Sequence, residues 1–200
     1  YVFATESGGV INFIKYNAIG DTVWTKNYND ASWPNFYLRE VRRTLDGGFI
    51  IGGRVGAFGA FGGCVIRTDS VGDTTWAKKY TDPFGSFALR EIVQLEDSSF
   101  VISHGSGGAA YGAGLTAIDN SGNIIWSREV QPYSTNNIGD VSISKTTDGG
   151  LVQYFSELVY PVFYGLSLIK LNSEGLICGE PPIDLPTSIG TTNPAVGVGD

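Results

Sequence analysis

The stretch DSVGDTTWAK, residues 69–78, decides the fold, because related stretches stand at nearly equal spacing on either side of it. Residues 17–26 read NAIGDTVWTK and residues 119–128 read DNSGNIIWSR. Each copy carries a tryptophan, and these lie 52 and 50 residues apart: Trp24, Trp76 and Trp126. A fourth copy of the turn ends at Gly175 without a tryptophan after it. The chain is therefore built from an internal repeat, which determines how the rest of the sequence is interpreted.

A second turn signature alternates with the first at the same period. Asp46 and Asp148 each begin an Asp-Gly-Gly turn, and Asp97 begins a weaker Asp-Ser-Ser version. Asp and Asn side chains close such turns, and Gly accepts positive φ without steric cost. Short β-branched and aromatic runs flank the turns, as expected of strands, and no helical spacing is sustained. The sequence predicts antiparallel strands with hairpin turns at 17–20, 46–48, 69–72, 97–99, 119–122, 148–150 and 172–175.

Four strands in a unit of about 51 residues are typical of a β-propeller blade. We predict an all-β, β-propeller-like array of four-stranded antiparallel blades over residues 1–178, incomplete in this chain, and a Pro-rich linker or tail over 179–200. In this prediction each blade joins two hairpins: 11–28 with 39–56, 63–80 with 89–106, and 115–130 with 139–157, with a half unit at 164–178. About three and a half blades leave open edges, so we expect packing against further repeats of the same chain or against another chain.

Charge and composition exclude some classes of function. The chain has 13 basic and 20 acidic residues, a net charge of −7, which argues against nucleic acid as a partner. No apolar run approaches the roughly 20 residues of a membrane helix, so no membrane span is expected. The sequence contains no Met, so Tyr1 is not a translation start. We expect an N-terminal piece to have been removed by processing or truncation.

Two stretches carry a resemblance to a known group. FIKYNAIGDTVW at 13–24 and TLDGGFIIGG at 44–53 resemble the propeller-type repeats of large secreted proteins of Bacteroidetes, which commonly end in a type IX secretion sorting domain. The resemblance covers roughly residues 1–178. It implies export across the outer membrane, a secreted or cell-surface location, and outer-membrane secretion machinery as a further partner. It implies no activity.

A looser resemblance concerns the tryptophans. LTAIDNSGNIIW at 115–126 is similar to the repeat of quinoprotein-type propellers, in which the tryptophan locks neighbouring blades together. This resemblance implies a structural blade-packing role for Trp24, Trp76 and Trp126.

Few residues have the chemistry of a catalytic or metal site. His104 is the only His and does not recur in the repeat, so we interpret it as a strand-end or loop residue. Cys64 and Cys178 lie 114 residues apart without Cys-x-x-Cys spacing, which disfavours zinc. A disulfide between them suits an exported protein, but a buried free Cys64 is the simpler interpretation. We predict no catalytic residue, no metal and no cofactor.

Three other features have a structural interpretation beside a functional one. The Gly-rich stretches 52–63 and 105–114 lack the Gly-Lys-Ser/Thr ending of a phosphate-binding loop and are interpreted as crossings between blades. The acidic turns at Asp69 and Asp119 suggest a calcium site. They lack the dense set of oxygen ligands that calcium requires, so we interpret them as hairpin turns. Arg39-Glu40 recurs as Arg90-Glu91, which indicates an ion pair at a blade edge or a solvated strand face.

The connections after the tryptophan segments carry four aromatic residues, and these form a predicted binding rim: Trp33, Phe36, Phe84 and Tyr133. Exposed aromatic rings stack on sugars or pack on protein partners. The favoured interpretation is nevertheless that these residues cover the ends of the blade core. We expect a non-catalytic extracellular or cell-surface scaffold or adhesion module that binds glycans or protein partners through its loop rims. The alternatives are part of a propeller enzyme, polysaccharide-acting or quinoprotein-like, and a secreted passenger bound to outer-membrane secretion machinery.

Overall fold

A computed structural model describes residues 1–29, 33, 35–56, 62–81, 87–106, 112–130, 138–159, 163–177, 190–192 and 197–199. Over these residues the chain is all-β, with antiparallel pairing in four sheets and no helix. The predicted fold class is confirmed at this level.

The strands follow one another in chain order within each sheet. The first sheet contains β1 (Val2–Ser7), β2 (Val10–Tyr16) and β3 (Thr22–Asn29). The second contains β4 (Tyr37–Arg43), β5 (Phe49–Val55), β6 (Gly62–Thr68) and β7 (Thr74–Thr81). The third contains β8 (Phe87–Gln94), β9 (Phe100–Ser106), β10 (Gly112–Ile118) and β11 (Ile124–Val130), and the fourth contains β12 (Ile138–Lys145), β13 (Leu151–Val159) and β14 (Phe163–Leu171).

Two kinds of five-residue turn join these strands, and they fall at all seven predicted positions. The Gly hairpins span 17–21, 69–73, 119–123 and 172–176, and each has its glycine at positive φ. The Asp hairpins span 44–48, 95–99 and 146–150. In both kinds the first N–H donates to the carbonyl of the fifth residue, and the fourth N–H donates to the carbonyl of the first. The Asn or Asp that opens a Gly hairpin accepts two further backbone N–H groups, as Asp69 does from Val71 and Asp73.

The predicted grouping of hairpins into blades is wrong by half a unit. Residues 39–56 pair with 62–81 in one sheet, not with 11–28, because β5 and β6 run antiparallel from Phe49↔Thr68 to Val55↔Gly62. The Gly-rich stretches at 52–63 and 105–114 accordingly join strands of the same sheet, so their interpretation as crossings between blades is also wrong. The connections between sheets are the segments that follow β3, β7 and β11.

The C-terminal segment, predicted as a linker or tail, supplies two short edge strands. β15 (Gly190–Thr192) pairs with β7 of the second sheet, and β16 (Gly197–Gly199) pairs with β3 of the first. Each lies on the outer edge of a strand that carries a repeat tryptophan. The described part of the tail therefore covers two sheet edges of its own chain.

The hydrophobic core is divided into three layers, one between each pair of successive sheets. Phe13 of the first sheet packs on Phe49 of the second in one layer, and Ile50 of the second sheet shares the next layer with Ile102 of the third. The last layer joins the third and fourth sheets through residues such as Leu115, Val101, Leu151 and Phe155. Strands β6 and β10 are consequently buried on both faces along their whole length. The sheets thus stack face against face in chain order.

The two ends of the strands differ in their connections. The seven five-residue hairpins lie at one end of the sheets, which we call the hairpin rim. The connections that follow β1, β3, β5, β7, β9, β11 and β13 begin and end at the opposite end, which we call the loop rim. Consecutive strands are antiparallel, so the three longest connections, 30–36, 56–61 and 131–137, all begin and end at the loop rim.

Candidate functional site

Each repeat tryptophan lies on β3, β7 or β11 and packs on the Gly hairpin of the following sheet. A Cβ built on Gly72 would lie 3.1 Å from Cη2 of Trp24, and one on Gly122 would lie 2.9 Å from Cζ3 of Trp76. A Cβ on Gly175 would lie only 2.5 Å from Cη2 of Trp126. Glycine at these positions is required both by the positive φ and by the close approach of the ring. The three tryptophans occupy equivalent positions and are half-buried rather than largely buried.

Polar groups beside each tryptophan reinforce the same contact. Tyr28 Oη donates to the Gly72 carbonyl at 2.6 Å, and Tyr80 Oη donates to the Gly122 carbonyl at 2.9 Å. Burial raises the pKa of both tyrosines, so both phenols are protonated donors at neutral pH. We call the combination of tryptophan strand and Gly hairpin the junction, and the described residues contain three of them.

A basic residue completes the first two junctions. Lys26 lies 3.2 Å from the Asp73 carboxylate, and Lys78 Nζ donates to Asn123 Oδ1 at 2.7 Å. The indole of Trp76 donates to the Asn120 carbonyl at 2.9 Å. The equivalent carbonyl in the first junction, that of Ser70, accepts from Lys15 instead. The tryptophan and the lysine of the repeated Trp-x-Lys pattern therefore both contact the Gly hairpin of the following sheet.

The Arg-Glu pair that recurs in the sequence links the first strands of successive sheets. The Glu40 carboxylate accepts the Ile92 backbone N–H at 2.5 Å, and the Glu91 carboxylate accepts the Ile143 N–H at 2.7 Å. Arg42 pairs with both carboxylates. Burial raises the pKa of Glu40, while the Ile92 N–H and Arg42 act to lower it. These glutamates are therefore inter-sheet contacts, a role that neither sequence interpretation of the pair described.

The arginines of the same pair converge at the loop rim. Arg39 and Arg90 are the extra residues of β-bulges in β4 and β8, between Leu38 and Glu40 and between Leu89 and Glu91. Arg54, opposite Tyr37 at the end of β5, lies 5.1 Å above that ring. Burial lowers the pKa of Arg54, and so do the positive charges of Arg39 and Arg90. Arg39 and Arg90 therefore lie near enough to Arg54 for their charges to act on it, in a chain of net charge −7.

Two of the four predicted rim aromatics are core residues. Trp33 is 4% exposed and Phe36 is 2% exposed, and their rings stack on each other with centroids 6.1 Å apart. They close the layer between the first and second sheets, which agrees with the interpretation that these aromatics cover the blade core. Phe84 and Tyr133 lie outside the described residues. Neither Trp33 nor Phe36 presents a face to a ligand.

A small cavity lies beneath these two rings. It has a volume of about 10 Å³ and is also lined by Gly9, Ile11 and Tyr28. This is room for one water molecule, so it is a packing defect of the core rather than a ligand site.

The single histidine is buried in the third sheet. His104 is 1% exposed, and its ring stacks on Phe87 at a centroid distance of 3.9 Å. Its Nε2 lies 3.0 Å from Thr116 Oγ1, which in turn lies 2.8 Å from Ser127 Oγ. Burial lowers the pKa of His104 to about 3, so the imidazole is neutral at physiological pH. The predicted strand or loop position is thus a strand position inside the core, out of reach of a substrate.

The other residues considered as metal ligands or disulfide partners lie in the core or within hairpins where the structure describes them. Cys64 is a buried free thiol whose pKa is raised by burial, and Cys178 lies outside the described residues. The Asp69 and Asp119 side chains accept backbone N–H groups within their own hairpins. The part of the chain that the structure describes holds no cluster of three or more His, Cys, Asp or Glu residues suited to a metal ion.

Comparison of the chain with family models and with curated proteins finds no match. No helix in the described ranges has the length and apolar character that spanning a membrane requires.

Proposed function

We propose that the chain is a segment of a β-propeller and that it works as a non-catalytic scaffold, secreted or at the cell surface, whose loop rim binds glycans or protein partners. The observation that carries this proposal is the separation of the two rims. The seven five-residue hairpins lie on one side of the array, while the three longest connections, 30–36, 56–61 and 131–137, begin and end on the other. Loops on a rigid scaffold are where recognition usually resides.

The propeller arrangement is supported by how the sheets meet. The first strands β4, β8 and β12 follow one another through the Glu40 and Glu91 contacts, so they lie next to each other on one edge of the stack. The last strands carry the junctions, which fix each sheet against the following one. Successive four-stranded sheets with neighbouring first strands are the arrangement of propeller blades around an axis.

Within this proposal the ligand is acidic, and an acidic glycan fits best. The aromatic rings Trp33 and Phe36 are buried, whereas Arg39 is exposed and Arg54 and Arg90 are half-buried at the loop rim. Guanidinium groups bind carboxylates and sulfates through paired hydrogen bonds. A uronic acid or a sulfated sugar supplies these groups on a neutral backbone that the surrounding loops can contact.

The test is a glycan array probed with the whole chain. We expect retention on uronic-acid or sulfated glycans and a loss of about tenfold or more in affinity for Arg39→Gln/Arg90→Gln, as for charge-assisted hydrogen bonds. The matched control is Arg43→Gln/Lys145→Gln, which removes the same charge from the hairpin rim and should bind normally. Equal binding of neutral glycans, or unchanged binding by the folded Arg39→Gln/Arg90→Gln variant, would contradict the proposal.

A further inference from the structure

The four Gly hairpins are equivalent acceptors, and three of them are occupied. Gly72, Gly122 and Gly175 each receive a tryptophan of the preceding sheet. The first hairpin, 17–21, has the same hydrogen bonds and the same positive φ, +94° at Gly20. No atom of the described residues lies within 4 Å of a Cβ built on Gly20. Ile19 beside it is 84% exposed.

A large apolar side chain is exposed on the sheet face next to this hairpin. Phe3 is 58% exposed. Its register equivalents in the second and third sheets are Ile51 and Ile102, both 0% exposed, because each packs against the sheet before it. At this position the first sheet therefore presents a large apolar side chain, as the second and third sheets do, without the cover that those two have.

The last residue of the hairpin also has an acceptor oxygen, as in the first two occupied copies. Asp21 stands where Asp73 receives Lys26 and where Asn123 receives Lys78. The Asp21 side chain is exposed and is held by Asn17 Nδ2 at 3.2 Å. Its carboxylate is thus in place for a basic residue that follows a tryptophan by two positions.

We infer that the Asn17–Asp21 hairpin and the Phe3 face form a docking surface for one further repeat unit, whose fourth strand supplies a Trp-x-Lys/Arg-x-Tyr segment. The tryptophan lies on Gly20, the base on Asp21, and the tyrosine donates to the Gly20 carbonyl. A second copy of this chain does not fit the surface, because Trp24, Trp76 and Trp126 are each engaged in a junction. The inference stands independently of what the loop rim binds.

The test adds such a unit to the whole chain. Residues 37–99 are copied in front of Tyr1, so that Ser99 of the copy precedes Tyr1 as Ser99 precedes Phe100. We expect one cooperative unfolding transition at a higher Tm than that of the original chain. The Gly20 amide resonance should shift, and that shift should be lost when the copied Trp76 is replaced by Ala.

A charge exchange supplies the control. Asp21→Lys in the extended chain should lower its Tm, and adding Lys78→Glu in the copy should restore it, while Asp21→Lys in the original chain should change Tm little. Independent unfolding of the added unit, an unshifted Gly20 resonance, or a shift insensitive to the copied Trp76 would overturn the inference. So would dimerisation of the original chain, if its interface mapped to Phe3 and Gly20.

Discussion

At the scale of single residues, most of the unusual side chains serve the packing of the sheets. His104 is an example: a buried imidazole with Phe87 on its face and Thr116 at its Nε2. Gly114 on the neighbouring strand makes room for it, since a Cβ there would lie 2.1 Å from the imidazole Cε1. The surroundings of His104 fit a neutral imidazole, so the stability of the chain should depend on pH.

His104 should make the chain less stable as the pH falls from 7 to 5. Its pKa is about 3 in the folded chain against an ordinary value of 6.5, so the unfolded chain binds the extra proton in this range. The free energy of unfolding should fall by about 2 kcal/mol between pH 7 and pH 5, as measured by urea denaturation. In His104→Gln that slope should be largely absent, whatever the variant's absolute stability. A slope equal to that of the wild type would show that other groups cause it.

The junction should be sensitive to loss of one phenol. Tyr80→Phe removes the donor to the Gly122 carbonyl and leaves that buried acceptor without it. We expect a loss of about 1 kcal/mol, against a larger loss of about 2 kcal/mol for Trp76→Ala, because the Trp76 ring is half-buried, both measured by chemical denaturation. Tyr37→Phe, at a tyrosine 40% exposed, is the comparison on a surface position. A Trp76→Ala variant as stable as the wild type would contradict the assigned packing.

At the scale of elements, the Asp hairpins come in two versions. In the second sheet, Arg67 donates to both Asp46 carboxylate oxygens, at 2.6 and 2.5 Å, and Gly48 leaves room for it. Lys170 does the same for Asp148 in the fourth sheet. The third sheet has Ala117 in place of the base and Ser99 in place of the glycine, and Asp97 binds Ser99 instead. Glycine and base therefore occur together or not at all.

This pairing predicts coupling between positions 48 and 67. A Cβ at Gly48 would lie 2.5 Å from Arg67 Nη1 and 2.3 Å from the Thr68 carbonyl, so Gly48→Ser should destabilise by about 1–3 kcal/mol. In an Arg67→Ala background, Gly48→Ser should lower the free energy of unfolding by less, because the serine replaces Arg67 as the partner of Asp46. A double-mutant cycle measures the difference. Strictly additive free energies would show that the two positions are independent.

Ser98 carries strain that the other two Asp hairpins avoid. Its φ is +69°, in the region where Gly47 and Gly149 have +87° and +80°. Ser98→Gly should stabilise the chain by about 0.5–1 kcal/mol. The reverse change, Gly149→Ser, meets no described atom within 4 Å and should destabilise by a similar amount through φ alone. Thermal unfolding of both variants checks this, and a destabilised Ser98→Gly would contradict the assignment of strain.

The sequence could predict the hairpins but not which hairpins share a sheet. Asp, Asn and Gly determine the turns locally, so all seven turn positions were accessible from single stretches. The grouping depends on whether the hairpin 39–56 shares a sheet with the hairpin before it or with the hairpin after it. The connections to those two hairpins, 30–36 and 56–61, differ by only one residue in length, so connection length does not distinguish the two groupings. Likewise, the burial of Trp33 and Phe36 depends on the layer between two sheets, which no local pattern encodes.

At the scale of the whole molecule, the tail closes edges that the repeats leave open. β15 lies on β7 and β16 lies on β3, so two strands that carry junction residues are covered on their outer sides. Open strand edges favour self-association, and covering them is a common means of avoiding it. The tail is therefore part of the folded chain where the structure describes it.

Truncation after Pro186 should expose both edges. We expect a lower Tm, faster amide exchange at the outer edges of β3 and β7, and self-association in sedimentation. Truncation after Pro194 removes only β16, so protection should be lost in β3 and kept in β7. Unchanged exchange in β3 and β7 after the longer truncation would show that the tail does not cover these edges in solution.

The junctions also determine how such an array changes in length. Each joins a tryptophan strand of one unit to a different element, the Gly hairpin, of the following one, so the contact is heterologous and has a direction. Contacts of this kind repeat by a fixed rotation, and they close as a ring or continue as a helix according to that rotation. Duplication or loss of a whole unit preserves every junction, whereas insertion of half a unit leaves a tryptophan without its hairpin. Such a protein should therefore tolerate insertions and deletions of whole repeats better than those of part of a repeat.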